Sequence, residues 1–282
     1  MARAASLPEA RRWFAEELRA VAHIGDERVV EAFAAVPRER FVGPGPWRVL
    51  HLGDGYWTTP DADPRRLYHN VLVALDEGSG LNTGEPSLWA YHLDRLGIKA
   101  GDRVLQVGTG SGYFTAILAE LVGPSGRVLG LEVDAALATA AKQNLADWPR
   151  ASVRLVEGVV PVEGRWDAVI AFAGASAPPA VWIDALDEGG RALIPLTGSE
   201  RWGFMLRLDR RRAGIEASSA GRVGFFPCAG ARDEAEAAAL THALVDPAGQ
   251  RELKSLRRDQ HKPAKSCWLH GKGWCLSKRE LH

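Results

Sequence analysis

The middle of the chain alternates between short apolar runs and stretches of helical periodicity. The apolar runs predict strands at residues 103–107, 127–131, 153–156, 166–172 and 191–196. Helical stretches at 112–122, 134–146 and 178–186 lie between them. Strands that alternate with helices in this way predict an α/β fold, with a mostly parallel sheet and helices on both of its faces.

The first forty residues follow a helical pattern. Phe14, Leu18 and Val21 recur at the spacing of one helix face, which predicts an amphipathic helix near the start of the chain. Asp26 is a good N-cap for a second helix, which Pro37 ends. Both helices are expected to pack against the sheet rather than to carry chemistry.

Less regular segments lie on either side of the predicted sheet. In the turn-rich passage 43–80, only residues 67–75 are apolar enough to predict ordered structure. After the sheet, near-alternating runs at 202–208 and 222–226 predict strands that extend it antiparallel, and 233–243 predicts a helix. A long turn-rich passage such as 43–80 is typical of a lid or an acceptor-binding surface.

A glycine-rich turn joins the first predicted strand of the sheet to the helix after it. Gly108, Gly110 and Gly112 let the backbone approach a ligand and aim the first amides of the helix at it. The next strand ends at Glu132, where nucleotide-binding βαβ units place an acidic residue for the ribose hydroxyls. Dinucleotide folds use G-x-G-x-x-G, whereas here the third glycine comes one residue early and Tyr113 follows it. The pattern predicts a nucleoside site, with a purely structural turn as the alternative.

Composition narrows the class of protein. The chain has 282 residues, of which 46% are hydrophobic, enough to bury a full core. Its 35 basic and 35 acidic side chains balance, so no global field draws it to nucleic acid or to an anionic membrane. Three cysteines are too few for a disulfide framework, and no apolar run approaches the roughly 20 residues of a membrane span. We therefore expect a soluble cytoplasmic protein with neither a membrane nor a nucleic acid as its partner.

Three motifs carry a resemblance to a known family. The segments VPRERFV at 36–42, KAGDRVLQVGTGSGY at 99–113 and GGRALIP at 189–195 resemble the protein-L-isoaspartate O-methyltransferases in order and spacing. The resemblance covers residues 24–228 and implies a divergent member with a Rossmann-like class I methyltransferase sheet. It also implies three parts, namely N-terminal helices with a substrate or lid loop (1–85), a cofactor-binding core (86–228) and a C-terminal extension (229–282).

By this resemblance the cofactor is S-adenosylmethionine. The glycines would pass close to its amino acid moiety, Glu132 would take the ribose hydroxyls, and Glu157 with Val159 would lie near the adenine. The implied cofactor-binding residues are Gln106, Gly108, Thr109, Gly110, Ser111, Gly112, Tyr113, Glu132, Val133, Glu157, Gly158 and Val159. Gln106 is a departure, because the family usually has an acidic residue there; an amide offers hydrogen bonds but no charge.

The implied reaction is methylation of a carboxylate on isoaspartyl or aspartyl residues of a protein or peptide. A carboxylate is ionised at pH 7 and already nucleophilic, so alignment and exclusion of water suffice. The implied catalytic residues form an acceptor-positioning loop of Asn82, Thr83 and Gly84. Gly84 stands where the family usually has Ser, and Thr83 either replaces that hydroxyl or has a plain loop role. Glu85 either faces the acceptor or caps the next helix.

Other functions stay open on the sequence alone. A tailoring methyltransferase would act on one dedicated peptide or small acid. A cofactor-binding scaffold would have lost turnover, as the departures at Gln106 and Gly84 allow. An oxidoreductase is a third alternative. Several aromatic side chains of the turn-rich passage either line a peptide groove or pack the N-terminal helices onto the sheet: Trp47, Tyr56, Trp57, Tyr68 and His69.

The C-terminal tail has two interpretations. Cys267, His270 and Cys275 follow a C-x₂-H-x₄-C spacing that a fourth ligand would complete as a zinc site. The candidates for that ligand are Cys228, His261 and His282. Because the spacing fits no common zinc module, we expect no metal and predict two short apolar strands around the turn 271–273. A basic flank at Arg257, Arg258 and Lys262 is a hypothetical contact for an acidic peptide.

Overall fold

The computed structural model describes residues 5–51 and 55–281, which form two compact units. The first consists of the described residues within Met1–Asp102 and Thr109–Leu155, and the second of those within Arg103–Gly108 and Val156–His282. The helices are α1 (Leu7–Ala22), α2 (Glu27–Ala35), α3 (Pro86–Leu96), α4 (Tyr113–Val122), α5 (Ala135–Asn144), α6 (Ala180–Asp184), α7 (Glu234–Ala243) and α8 (Pro247–Arg251).

The strands complete the α/β pattern. They are β1 (Arg48–His51), β2 (Gly55–Thr58), β3 (Leu72–Asp76), β4 (Leu81–Asn82), β5 (Arg103–Val107), β6 (Arg127–Glu132), β7 (Ala151–Leu155), β8 (Trp166–Ala171), β9 (Leu186–Thr197), β10 (Trp202–Arg211), β11 (Gly214–Gly224), β12 (Ser255–Arg257), β13 (Cys267–Gly271) and β14 (Trp274–Ser277). No helix within the described ranges is both long enough and apolar enough to span a bilayer. The predicted three-part division at residues 85 and 228 stays a prediction.

Both predicted N-terminal helices are confirmed. At the start of α1, the hydroxyl of Ser6 and the carboxylate of Glu9 form a reciprocal capping box. Helix α1 then buries Phe14 against Phe33 of α2, with ring centroids 6.3 Å apart. Phe33 in turn lies 6.3 Å from Phe114 of α4, also edge to face. Because aromatic pairs in this geometry add to the burial of apolar area, they hold the N-terminal helices on α4.

The predicted order at 67–75 is confirmed in part by β3, but the expectation that the rest of the passage 43–80 lacks strands is wrong, because β1 and β2 lie in it. β1, β2, β3 and the two-residue β4 form an antiparallel sheet in the order β2-β1-β3-β4. A buried cluster beneath it consists of Trp47, Val49, Leu67 and Val73. Strands of two to five residues show too little alternation to be recognised in a sequence rich in Gly and Pro. Their order comes instead from pairing and from this cluster.

The rest of the first unit follows the predicted alternation. β6 and β7 pair in parallel, with Gly130 opposite Val153. β7 ends at Leu155 rather than 156 and begins two residues before the predicted 153, because the pairing with β6 extends back to Ala151. Helices α4 and α5 lie within one residue of their predicted starts. Nine of the ten residues of α4 are buried, which identifies it as the central helix of this unit.

The second unit contains a mixed sheet in the order β13-β14-β12-β11-β10-β9-β8-β5. β5, β8 and β9 are parallel, and every later pair is antiparallel. β9 is twelve residues long, twice the predicted length, and β11 begins eight residues before the predicted 222. β11 alternates buried Ile215 and Ala217 with exposed Glu216, so one face is solvated and the hydropathy signal is weak. The predicted strands around the turn 271–273 are confirmed as β13 and β14.

Helix α3 contains a buried histidine that makes stability depend on pH. His92 is 3% exposed, and burial, with a smaller contribution from Arg95, lowers its pKa to about 4. Below pH 6.5 the unfolded chain binds a proton at this residue that the folded chain does not. We predict that this lowers the free energy of unfolding by up to about 3 kcal/mol as pH falls from 6.5 to 4.

Urea denaturation at several pH values across this window measures the effect in wild type and in His92→Gln. The variant should lose this part of the pH dependence. His69→Gln is the matched control, because His69 is exposed and should leave the profile unchanged. Equal pH dependence in wild type and His92→Gln would contradict the assignment.

Candidate functional site

The glycine-rich turn before α4 has the backbone conformation that its sequence predicts. Gly112, the N-cap of α4, has φ 97°, which an L-residue rarely adopts. A Cβ there would also lie 3.2 Å from the side chain of Leu145. The amide of Gly112 donates to Thr109 O at 3.1 Å, and Asn144 Nδ2 donates to Ser111 O at 2.9 Å. The turn is therefore held by one hydrogen bond within itself and by one from the last residue of α5. No side chain among the described residues caps the start of α4.

Glu132 is bonded to this turn at the end of β6. Its carboxylate is 6% exposed and accepts from the Gly110 amide at 2.6 Å through Oε2. Oε1 accepts from the amides of Val133 at 2.8 Å and Asp134 at 3.1 Å. A carboxylate offers about four acceptor positions, so one position on Oε2 remains for a hydroxyl. Val133, next along the chain, is 46% exposed, and its predicted contact with the cofactor stays a prediction.

Tyr113 lies in the interior of the first unit. The side chain is 3% exposed, and its ring centroid lies 5.7 Å from that of Phe41 and 6.4 Å from that of Phe33. Burial raises the pKa of its phenol above the ordinary value. The structure therefore gives this ring a packing position beneath the turn. Ser111 and Thr109 are also buried, and each is 5% exposed.

The second unit contains the other predicted cofactor residues. Gln106 is fully buried in β5, in register with Ile170 of β8. Gly108 has φ 82° and follows Val107, whose carbonyl accepts from the Phe172 amide at 2.7 Å. Glu157 is exposed, and Gly158, with φ 76°, lies against Gly230 of the segment before α7. Val159 is partly exposed beside the same segment.

The predicted acceptor loop follows β4. Thr83 is 8% exposed, and its hydroxyl accepts from the Val73 amide at 3.1 Å and from Arg38 Nη2 at 3.3 Å. Asn82 accepts from the Gly84 amide through Oδ1 at 2.9 Å, and its Nδ2 lies 3.4 Å from Tyr56 Oη. The Thr83 hydroxyl is thus engaged in holding the loop, which supports the plain loop role over a replacement hydroxyl.

The backbone at Gly84 does not suit the serine that the resemblance implies for this position. Its φ is 76°, and a Cβ would lie 3.1 Å from Trp89 Nε1. A serine in this backbone conformation would be strained and would press on the indole. Glu85 occupies the N-cap position of α3, but its carboxylate bonds Ser87 Oγ at 2.7 Å rather than a backbone amide. The Ser87 amide instead donates at 2.8 Å to Oδ1 of Asn70, which lies 17 residues earlier in the sequence.

Arg38, inside the VPRERFV motif, is a contributor that sequence reasoning missed. The guanidinium is fully buried, and burial lowers its pKa. It donates to the carbonyl oxygens of Leu67 at 2.7 Å and His69 at 2.9 Å, to Val71 O, and to Thr83. Its place in a motif that carries the resemblance was the available signal. Arg38 fixes the segment that leads into β3 and the acceptor loop.

The acceptor loop and the glycine turn lie side by side within the first unit. A Cβ on Gly84 would lie 3.5 Å from Phe114, the second residue of α4. A Cβ on Gly110 would lie 3.5 Å from Leu75 Cδ1 of β3. The acceptor loop therefore lies close to the first turn of α4, and β3, the pairing partner of β4, lies close to the glycine turn. The packing brings together two motifs that are about 25 residues apart in sequence.

The aromatic residues of the passage 43–80 divide between the two predicted roles. Trp47 and Tyr68 are buried at 5% and 4% exposure, and Tyr68 packs edge to face on Phe14 of α1. Trp57 is 47% exposed on β2, and Tyr56 is half-buried beside Asn82. Packing therefore accounts for Trp47 and Tyr68. The exposed face of β2 remains available to an acceptor.

An open cavity of about 320 Å³ lies in the second unit near the N-terminus of α7. Arg258 lines it and is paired with Asp184, whose Oδ2 lies 3.2 Å from Nη2. This pairing lowers the pKa of Asp184. Arg257 likewise donates to Asp259 Oδ1 at 2.9 Å. Since both arginines already have carboxylate partners, their contact with an acidic peptide stays a hypothesis and would have to displace these pairs.

The fold and the strand–glycine turn–helix unit place the protein among α/β proteins of the Rossmann-like class. The family model described as Protein-L-isoaspartate(D-aspartate) O-methyltransferase (PCMT) matches residues 60–233. A protein-L-isoaspartate O-methyltransferase of Methanoculleus marisnigri is 34% identical over 73% of this chain and 86% of its own. One from Ignicoccus hospitalis is 30% identical over 78% of this chain and 98% of its own. The chain belongs to the protein-L-isoaspartate(D-aspartate) O-methyltransferase family.

Solved structures agree on the fold. A protein-L-isoaspartate O-methyltransferase superposes with a TM-score of 0.65 and 20% identity, over 89% of this chain and 72% of its own. A putative one from Plasmodium falciparum, in complex with S-adenosyl-L-homocysteine, gives a TM-score of 0.61 and 21% identity, over 78% of this chain and 98% of its own. The predicted Rossmann-like class I methyltransferase fold is confirmed. The candidate zinc ligands of the C-terminal tail, His261, Cys267, His270 and Cys275, lie outside the family match.

The backbone at Gly84 predicts the effect of restoring the family's residue. We expect both Gly84→Ala and Gly84→Ser to lower the free energy of unfolding by about 1–3 kcal/mol, because each places a Cβ at positive φ. Denaturant unfolding measures this loss. Gly25→Ala is the matched control, since Gly25 has no atom within 4 Å of its Cβ position. A Gly84→Ser protein as stable as wild type would show that the loop has another accessible conformation.

Proposed function

We propose that this protein transfers a methyl group from S-adenosylmethionine to the carboxylate of isoaspartyl or aspartyl residues in a protein or peptide. Membership of the family supports the reaction class. The observation that carries the proposal is the packing of the acceptor loop near α4 and of β3 near the glycine turn. The Cβ position of Gly84 lies 3.5 Å from Phe114 of α4, and that of Gly110 lies 3.5 Å from Leu75 of β3. An acceptor held by the loop would therefore lie beside a cofactor held by the turn.

The residues of the first unit fit the cofactor. The buried carboxylate of Glu132 keeps one acceptor position for a ribose hydroxyl, and the uncapped start of α4 offers backbone amides. When bound, S-adenosylmethionine supplies an electrophilic methyl group on a sulfonium, and the electron pair of the broken C–S bond stays on sulfur. The acceptor carboxylate forms the new O–C bond, and no proton moves. No general base is required, which agrees with a site built from backbone and loop contacts.

This chain's own residues supply alignment. Arg38 and the Thr83 hydroxyl fix the acceptor loop, and the Asn82 side chain closes a turn onto the Gly84 amide. Glu132 holds the glycine turn through Gly110. Each of these contacts involves a buried or half-buried polar group, so the loop and the turn are preorganised before any acceptor binds.

The glycine at position 84 supports the alternative hypothesis of a tailoring methyltransferase that acts on one dedicated peptide or small acid. Without the family's serine, the loop offers an acceptor the Asn82 amide and the exposed face of β2 with Trp57. Such a surface would contact residues on either side of the methylated one. We propose that recognition of this chain's acceptor extends along the peptide rather than resting on a single loop hydroxyl.

A methyl-transfer assay tests the function. Radiolabelled S-adenosylmethionine is incubated with three peptides that are identical except for isoaspartate, aspartate or asparagine at one position. We expect base-labile label on the isoaspartyl or aspartyl peptide and none on the asparagine control, because only a carboxylate can form the ester. Calorimetric binding of S-adenosylhomocysteine together with no transfer to any of the three peptides, or to a set of unrelated carboxylate peptides, would instead indicate a scaffold.

The cofactor contact of Glu132 is tested separately. Glu132→Gln keeps the size of the side chain. It removes the negative charge and replaces one carboxylate oxygen, which accepts hydrogen bonds, with an NH₂ group, which can only donate them. We expect S-adenosylhomocysteine to bind about 10- to 100-fold more weakly, as for loss of hydrogen bonds to a charged group. Asp134→Asn is the matched control, because asparagine also caps the start of α5. An unchanged dissociation constant in folded Glu132→Gln would rule out this role.

A further inference from the structure

The C-terminal hairpin brings together four side chains that the sequence spreads over fifteen residues. His261, Cys267, His270 and Cys275 place one ligand atom each within 4.8 Å of one another. His270 of β13 is the register partner of Cys275 of β14. Cys267 begins β13, just before a bulge in the pairing, and His261 comes from the loop between β12 and β13. Cys228, another candidate ligand from the sequence, is not in this cluster, and His282 lies outside the described residues.

We propose that these four side chains bind one structural zinc ion. Two thiolates and two imidazoles form a common tetrahedral donor set for Zn²⁺. With Zn–S near 2.3 Å and Zn–N near 2.0–2.1 Å, the edges of such a tetrahedron are roughly 3.3–3.8 Å long. Cys267 Sγ and His261 Nε2 are 3.5 Å apart, which is already the length of a sulfur–nitrogen edge. Since all four ligand atoms lie within 4.8 Å of one another, the remaining edges need to close by at most about 1.5 Å.

The surroundings of the cluster orient its ligands. His261 Nδ1 lies 2.9 Å from the carbonyl oxygen of Asp259, so a proton on Nδ1 leaves Nε2 as a ligand. The Ala264 amide donates to Cys267 Sγ at 3.4 Å, a contact that favours the thiolate. These are the outer contacts that metal-binding histidines and cysteines usually have.

His270 supplies an independent observation. Its Nδ1 is buried and has no hydrogen-bond partner among residues 5–51 and 55–281. Buried polar nitrogens in native proteins nearly always have a partner, and a bond to zinc would provide one. The ring also meets His261 edge to face, with centroids 4.8 Å apart.

Four protein ligands would leave no open position for water, so the ion would be structural rather than catalytic. It would join the loop after β12 to the β13–β14 hairpin at the end of the sheet in the second unit. Few buried apolar side chains hold this loop against the hairpin. Leu269, Cys275 and Leu276 are buried, whereas residues 262–265 are exposed. A metal bond would therefore supply order that packing alone provides only weakly.

Metal analysis of the full-length, untagged protein tests the proposal. After expression in zinc-supplemented medium and dialysis against metal-free buffer, mass spectrometry should find about one zinc per chain. The double variant Cys267→Ser/Cys275→Ser and the single variant His261→Ala should both lose most of it. His261 lies in a loop, so its replacement keeps the hairpin strands intact. Cys228→Ser is the matched control and should retain the metal.

Spectroscopy and stability give readouts that do not depend on activity. Refilling the chelated protein with Co²⁺ should give the intense visible bands of tetrahedral cobalt–thiolate coordination, and chelation should lower the Tm by several degrees. Wild-type protein without zinc, with no such bands and with a Tm unchanged by chelator, would overturn the proposal. A denatured-state thiol count of one rather than three would also overturn it, because Cys267 and Cys275 would then form a disulfide.

Discussion

A buried positive charge organises the acceptor side of the first unit. Arg38 is out of contact with water, so its guanidinium must find acceptors within the chain, and it finds them in Leu67 O, His69 O, Val71 O and the Thr83 hydroxyl. The chain from 67 to 83 can therefore adopt few arrangements in which that charge is satisfied. Arg38 Cζ also lies 5.9 Å from the ring centroid of Phe14 and 5.8 Å from that of Tyr113, and these cation–π contacts connect the same charge to α1 and α4. One residue thus couples the N-terminal helices, the small sheet and the glycine-turn helix.

The glycine turn is also held by a buried charged group whose hydrogen-bond partners lie within the chain, in this case the carboxylate of Glu132. Glu132 collects three backbone amides, one from the turn and two from its own strand end, so β6 and the turn hold each other. The side chain has a structural role in addition to the ribose contact that we propose for it. The same carboxylate shapes the turn even in the absence of a nucleoside.

Patterns of neighbouring residues in the sequence predicted the strands and helices of the core. They did not predict the contacts between residues that are far apart in the sequence. β5 and α4 were readable because a buried strand, three glycines and a nearly all-buried helix leave strong patterns. The strands β1 to β4 were not, since their order comes from cross-strand partners and from a cluster beneath them rather than from alternation. Arg38 was missed for a related reason, and His261 could be named only as one of three candidates for a fourth zinc ligand. A residue's partners 30 positions away, or across a nine-residue loop, leave no periodic trace in the sequence.

The bulge in β13 has a consequence for the protein's behaviour in a crowded solution. β13 is the outermost strand of the sheet in the second unit, and an outermost strand offers unpaired backbone groups to other chains. The bulge between Cys267 and Leu269 breaks the regular ladder, and the preceding loop folds back so that the Cys267 amide donates to Ala264 O at 2.8 Å. This border of the sheet is therefore a poor template for intermolecular strand pairing. The same few residues that gather two thiols and two imidazoles also guard the protein against aggregation.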